Sequence, residues 1–90
     1  MEILETINIG VRYRLTDEFD VYNNTDCRSG CRRMMYIGEE FTALAEMDAT
    51  RDGVAVNYRL YKVITQSGDI GYVGCLVANC CVNAEHEVAL

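Results

Sequence analysis

The sequence predicts a mainly β domain, a small closed sheet of about five short strands. Three observations carry this. Seven glycines and no proline punctuate the chain at short intervals, which suits a succession of short strands. Val11-Arg12-Tyr13-Arg14-Leu15 alternates strictly between apolar and basic side chains, the pattern of a half-buried strand. The run Val54 to Ile64 is dominated by Val, Tyr and Ile, residues that fit a pleated surface.

Along the chain, residues 1–10 offer Ile3, Leu4 and Ile7 for packing but no place in the sheet. Residues 11–82 form the domain and 83–90 a tail. Val11–Leu15 is the first strand. Thr16–Gly30 is polar and acidic and is expected as a long excursion with a short strand at Asp20-Val21-Tyr22. Arg33–Ile37 reads as a strand stopped by Gly38. In Glu39–Met47 the alternation of Phe41, Ala43, Ala45 and Met47 favours a strand, although its Ala and Glu content permits a helix. Asp48–Gly53 is then a polar hairpin loop. The phase of the next strand changes between Leu60 and Tyr61, which predicts a bulge or a change of face there. Gln66–Asp69 is a tight turn, Ile70–Val73 a strand, and Gly74–Val82 a 3₁₀ turn with a closing strand.

Ninety residues with half of them hydrophobic make one domain with a modest core. No apolar run approaches the roughly 20 residues that span a bilayer. The opening Met1-Glu2-Ile3-Leu4-Glu5 carries acids where a secretory signal carries bases, so a cytoplasmic location is expected. Fourteen acids against eight bases give a formal charge of −6. That charge repels a phosphate backbone and favours a protein partner with a basic surface. Self-association is compatible with the same composition.

Tyr36-Ile37-Gly38-Glu39-Glu40-Phe41-Thr42-Ala43-Leu44, Tyr58-Arg59-Leu60-Tyr61-Lys62-Val63 and Gly68-Asp69-Ile70-Gly71-Tyr72-Val73 together resemble the bacterial SH3 family. There a Gly-Glu strand precedes an aromatic-Tyr-Lys-Val strand, a glycine turn and a Gly-Tyr-Val strand. The resemblance covers roughly residues 11 to 82. It implies a five-stranded SH3-like barrel with a long acidic loop after the first strand. Exported relatives bind cell-wall peptides, and eukaryotic ones bind proline-rich peptides in an aromatic groove. This chain departs from both: it has no Trp, and Gly74-Cys75-Leu76-Val77-Ala78-Asn79 replaces the Pro and Tyr that line such grooves.

Two sets of residues are candidate sites. In the acidic segment, the carboxylates of Asp17, Glu18 and Asp20 beside Phe19 and Tyr22 suit an Arg or Lys of a partner. Tyr58 adds a further aromatic contact. The plain alternative is a solvated loop anchored by Phe19 or Val21. In the second set, Cys27 and Cys31 flank a glycine turn and, with Cys80, Cys81 or His86, would supply zinc ligands. Against this, Cys80 and Cys81 are adjacent and free cysteines are often core residues. The arginines 28, 32 and 33 form a basic cluster that offsets nearby acids. His86 is the sole histidine, and no third group orients a Cys-His pair. No catalytic residue is therefore assigned and no enzyme activity is expected.

The function expected is a non-catalytic intracellular protein-binding module. Size and charge resemble the small inhibitors encoded by phages and other mobile elements, which occlude a basic surface of a host protein. The alternatives are a zinc-stabilised structural domain and a peptide- or wall-binding SH3 domain. No cofactor other than such a zinc is expected.

Overall fold

The structure is a computed structural model in which residues 6–26 and 32–85 are described. It is mainly β. The strands are β1 (Arg12–Leu15), β2 (Phe19–Tyr22), β3 (Arg32–Met35), β4 (Glu40–Arg51), β5 (Val54–Thr65), β6 (Ile70–Gly74) and β7 (Cys81–Asn83), with a 3₁₀ helix at Cys75–Cys80. All pairs are antiparallel, in one sheet of order β3-β2-β6-β5-β4-β1-β7. No helix among the described residues is long and apolar enough to cross a membrane.

The sheet has seven strands where the SH3-like resemblance implies five. The acidic segment is not a long loop. Only Thr16–Glu18 connects β1 to β2, and Phe19–Tyr22 is a full strand paired with β3 from Phe19↔Met35 to Tyr22↔Arg32. This two-stranded arm joins the rest of the sheet through one registered pair, Tyr22↔Tyr72.

One apolar cluster draws side chains from every strand: Tyr13 and Leu15, Val21, Met35, Phe41 and Ala43, Tyr61 and Val63, Val73, and Cys81. The sheet is open, with β3 and β7 at its edges, and neighbouring strands twist against one another. Two irregularities interrupt the β4–β5 ladder. Leu44 is an extra residue between Ala43↔Val63 and Ala45↔Lys62, and Val56–Tyr58 stand opposite the single Ala49. Such bulges bend a strand and raise its twist. Of the bulge or change of face expected at Leu60/Tyr61, the bulge is not there, because the register runs unbroken through Met47↔Leu60 and Glu46↔Tyr61. Successive strand residues face opposite sides. Tyr61 enters the main core and Leu60, equally buried, lies on the other face beside Met47 and Gly74.

The hairpin loop expected over Asp48–Gly53 shrinks to Asp52-Gly53, because β4 continues to Arg51. Asp52 (φ 52°) and Gly53 (φ 80°) both lie in the left-handed region. This is the two-residue turn whose twist matches the flanking strands, and Asp-Gly is its preferred sequence. The N-terminal segment, which the sequence leaves without a place, is docked from Thr6 onward. Ile7 is buried in the core. The Asn8 N–H donates to the Tyr13 hydroxyl at 2.8 Å, and the Thr6 and Tyr61 hydroxyls share a 3.1 Å hydrogen bond. At the other end Asn83 belongs to β7 rather than to a tail, and the Ala84 N–H donates to the Arg12 carbonyl at 2.9 Å.

Candidate functional site

All six residues that the sequence singles out for partner contact meet in one groove. Asp17, Glu18, Phe19, Asp20, Tyr22 and Tyr58 line a cavity of about 400 Å³, joined by Met34 and Gly74. The arm supplies one wall. Asp17 and Glu18 sit in the short connection, where the Glu18 N–H donates to Asp17 Oδ1 at 2.8 Å. Asp20 and Tyr22 lie on the same face of β2. Asp20↔Met34 register brings Met34 alongside. The opposite wall comes from β5 and β6, as Tyr58 and Gly74.

The carboxylates are not equivalent. Asp20 is held by Arg32 at 3.2 Å, and both side chains are solvent-exposed enough for that pair to contribute little. Asp17 and Glu18 make no ion pair with any described residue. Among the described residues nothing offsets these two charges at the groove's rim. Away from the groove, Tyr13 stacks on Phe41 in the core, at 5.8 Å between centroids.

Several contacts hold the arm in place, among them Met35 in the core. Val21, fully buried, lies against Gly71 of β6. Tyr22 pairs with Tyr72. Beyond β2, the Thr50 N–H donates to the Thr25 carbonyl at 2.9 Å, and the two threonine hydroxyls are 2.9 Å apart. This last contact ties the arm to the β4–β5 hairpin.

Met34 and Gly74 are the groove residues that sequence reasoning missed. Both become visible only once the register is known: Met34 through its pairing with Asp20, Gly74 through Leu60↔Gly74. A glycine directly after the Tyr72-Val73 strand was the available signal, and it reads equally well as a turn.

Only part of the cysteine set lies within the described residues. Cys27, Cys31 and His86 lie outside the described residues. Cys80 ends the 3₁₀ helix and Cys81 opens β7, with Cys81 buried in the core. Among the described residues no group of three His, Cys, Asp or Glu side chains is placed to hold a metal. Burial, reinforced by the neighbouring Cys80, pushes the Cys81 thiol up to about 12. Burial and then the charge of Asp17 raise Cys80. Both effects favour the neutral thiol over the thiolate.

A stability prediction follows from the sign of this shift. The unfolded chain releases the Cys81 proton near the ordinary value of 9.0, whereas the folded chain keeps it to about 12. Between those values the unfolded state binds fewer protons, so folding stability falls as pH rises. Denaturation midpoints measured across that range should drop with pH, and Cys81→Ala should flatten the drop. An unchanged slope in the variant would refute the assignment.

Of the other candidates, Arg32 offsets Asp20, as the plain reading of the basic cluster expects. A second hollow of about 240 Å³ lies between Arg12, Glu40 and Gln66. Its charges are internally paired, Glu40 holding Arg12 at 3.1 Å and Arg14 at 3.4 Å. No protein-family model matches the chain, and neither a curated protein nor a solved structure matches it.

Proposed function

We propose that this domain is a non-catalytic binding module whose groove takes a basic side chain from a protein partner. The observation that carries the reading is the convergence of Asp17 and Glu18, uncompensated among the described residues, with Phe19, Tyr22 and Tyr58 around one cavity. Carboxylates supply charge-assisted hydrogen bonds to a guanidinium or ammonium group. Ring faces attract the same cation. The overall charge of −6 steers such a partner toward the site.

An SH3-like architecture is part of the proposal. The supporting features are a first strand, a two-stranded arm over the groove, the β4-β5-β6 meander, a 3₁₀ helix and a last strand returning beside the first. The absence of Trp argues against a proline-rich ligand and for a charge-led contact. In this reading the protein works by occlusion, covering a basic surface of a larger protein in the manner of the small inhibitors of mobile elements.

The test is a panel of short peptides bearing Arg or Lys, titrated by calorimetry and by amide chemical shifts. Binding should map to residues 17–22 and 58. It should also weaken steeply between low and high salt, since the Debye length shrinks from about 30 Å at 0.01 M to about 8 Å at 0.15 M. Binding that is indifferent to salt, or shifts confined to other surfaces, would remove the reading.

A further inference from the structure

Gly74 and Tyr58 form a matched pair within the groove. A Cβ built on Gly74 would collide with the Tyr58 hydroxyl and come within 3.2 Å of Cζ and 3.7 Å of Cε2. The tip of the Tyr58 ring therefore occupies the space that any other residue at position 74 would fill. Gly74 does not have a left-handed backbone, so no conformational demand accounts for glycine here. What the position requires is room for the ring.

We propose that Gly74 is a positioning residue: its missing side chain seats the Tyr58 ring and thereby sets the aromatic wall of the groove opposite Asp17 and Glu18. The proposal deepens the binding reading and rests on it for its effect on affinity. Tyr58 is 41% exposed and its tip is the far end of a rotatable side chain. A methyl at position 74 can thus be accommodated by rotation of the ring rather than by collapse of the fold. Gly71 provides the contrast within the same strand, since a methyl there meets fully buried Val21. The two glycines of β6 have different tasks: one admits the core, the other admits the wall of the site.

The experiment is a double-mutant cycle of Gly74→Ala and Tyr58→Phe on the full chain, with two readouts. The first is affinity for the tightest-binding peptide of the Arg/Lys panel. Gly74→Ala should weaken it about fivefold, the loss expected for one displaced cation–aromatic contact. Tyr58→Phe keeps the ring and removes the atom nearest the new methyl. The double variant should therefore bind within about twofold of Tyr58→Phe alone, a non-additivity that an indirect structural effect does not produce. The second readout is ¹⁹F NMR of protein labelled with fluorotyrosine, in which the Tyr58 signal is assigned by its loss in Tyr58→Phe. In Gly74→Ala that signal should move toward the position of a solvent-exposed tyrosine while the others stay.

A Tyr58 signal that does not move in Gly74→Ala, or affinity losses that simply add, would overturn the proposal. If no peptide binds the unmodified chain, the binding reading fails, and the ¹⁹F shift still decides whether Gly74 seats the ring.

Discussion

A Gly71→Ala variant is expected to lose stability, against the usual direction for this substitution in a strand. Replacing glycine by alanine where the backbone is compatible stabilises by about 0.4–1 kcal/mol through the unfolded chain. Gly71 has no left-handed backbone, so that gain is available in principle. Packing decides otherwise. The new methyl would overlap Cγ1 of Val21 and stand 3.4 Å from the Tyr22 carbonyl oxygen and 3.5 Å from Arg33 Nη2. Val21 is 0% exposed and surrounded by core side chains, so it has nowhere to go. Overpacking a tight core costs about 1–3 kcal/mol, which exceeds the gain. The expected result is a net loss of about 1–2 kcal/mol and a thermal midpoint lower by about 5–15 °C. Val21→Ala should relieve the overlap, so the double variant should be more stable than the sum of the two single losses predicts. A Gly71→Ala protein as stable as the parent would show that Val21 does not lie over β6. The same contact bears on function, because Val21 over Gly71 is one of the attachments holding the arm that carries Asp17 to Tyr22.

Much of this arrangement was legible in the sequence, and the reasons differ from element to element. Val11–Leu15 and Val54–Ile64 announce themselves by period and β-branching, which are local properties. The strand reading of Glu39–Met47 rests on the alternation of Phe41, Ala43, Ala45 and Met47 and on a polar hairpin loop after it; Phe41 and Ala43 are buried in the core, Ala45 and Met47 are half-buried, and the loop is shorter than expected. The arm was less visible because Asp17-Glu18-Phe19-Asp20 is acidic, and strand formation there depends on cross-strand partners. The ladder from Met35 to Arg32 and the pair Tyr22↔Tyr72 make Phe19–Tyr22 a strand. The length of β4 was hidden for a similar reason: Asp48 and Arg51 look like loop residues. On the hairpin, however, Asp48 lies across from Arg59, whose guanidinium contacts both Glu46 and Asp48. The phase change at Leu60 and Tyr61 predicts a bulge or a change of face; both residues are buried without a bulge, since burial on both faces needs no break in register. For the groove, residue type alone picked out the six lining side chains. Met34 and Gly74 required cross-strand register, which no single strand encodes.

Reversing the charge of both rim carboxylates, Asp17→Lys with Glu18→Lys, should abolish most of the binding. Each carboxylate loses an attractive contact and each lysine adds a repulsive one. Four exposed charge contacts of about 0.7 kcal/mol apiece correspond to about a 100-fold loss of affinity. Asp20→Asn should cost much less, because Asp20 already spends its charge on Arg32. Net charge alone does not explain this ranking. The pair Glu46→Lys with Asp48→Lys changes the chain's charge by the same amount on the β4–β5 hairpin, outside the groove. It should slow association modestly and leave dissociation nearly unchanged, since distant charges act by steering. The groove reversal should also speed dissociation. A thiol reports that the substitution acts where the geometry says. The Asp17 charge is one of the two causes that raise Cys80, so replacing it by a lysine should let Cys80 ionise at lower pH and alkylate faster. Equal losses from the groove pair and the hairpin pair would reduce the interaction to bulk electrostatics. A loss confined to the groove pair, accompanied by a faster-reacting Cys80, would locate the partner's cation beside Asp17 and Glu18.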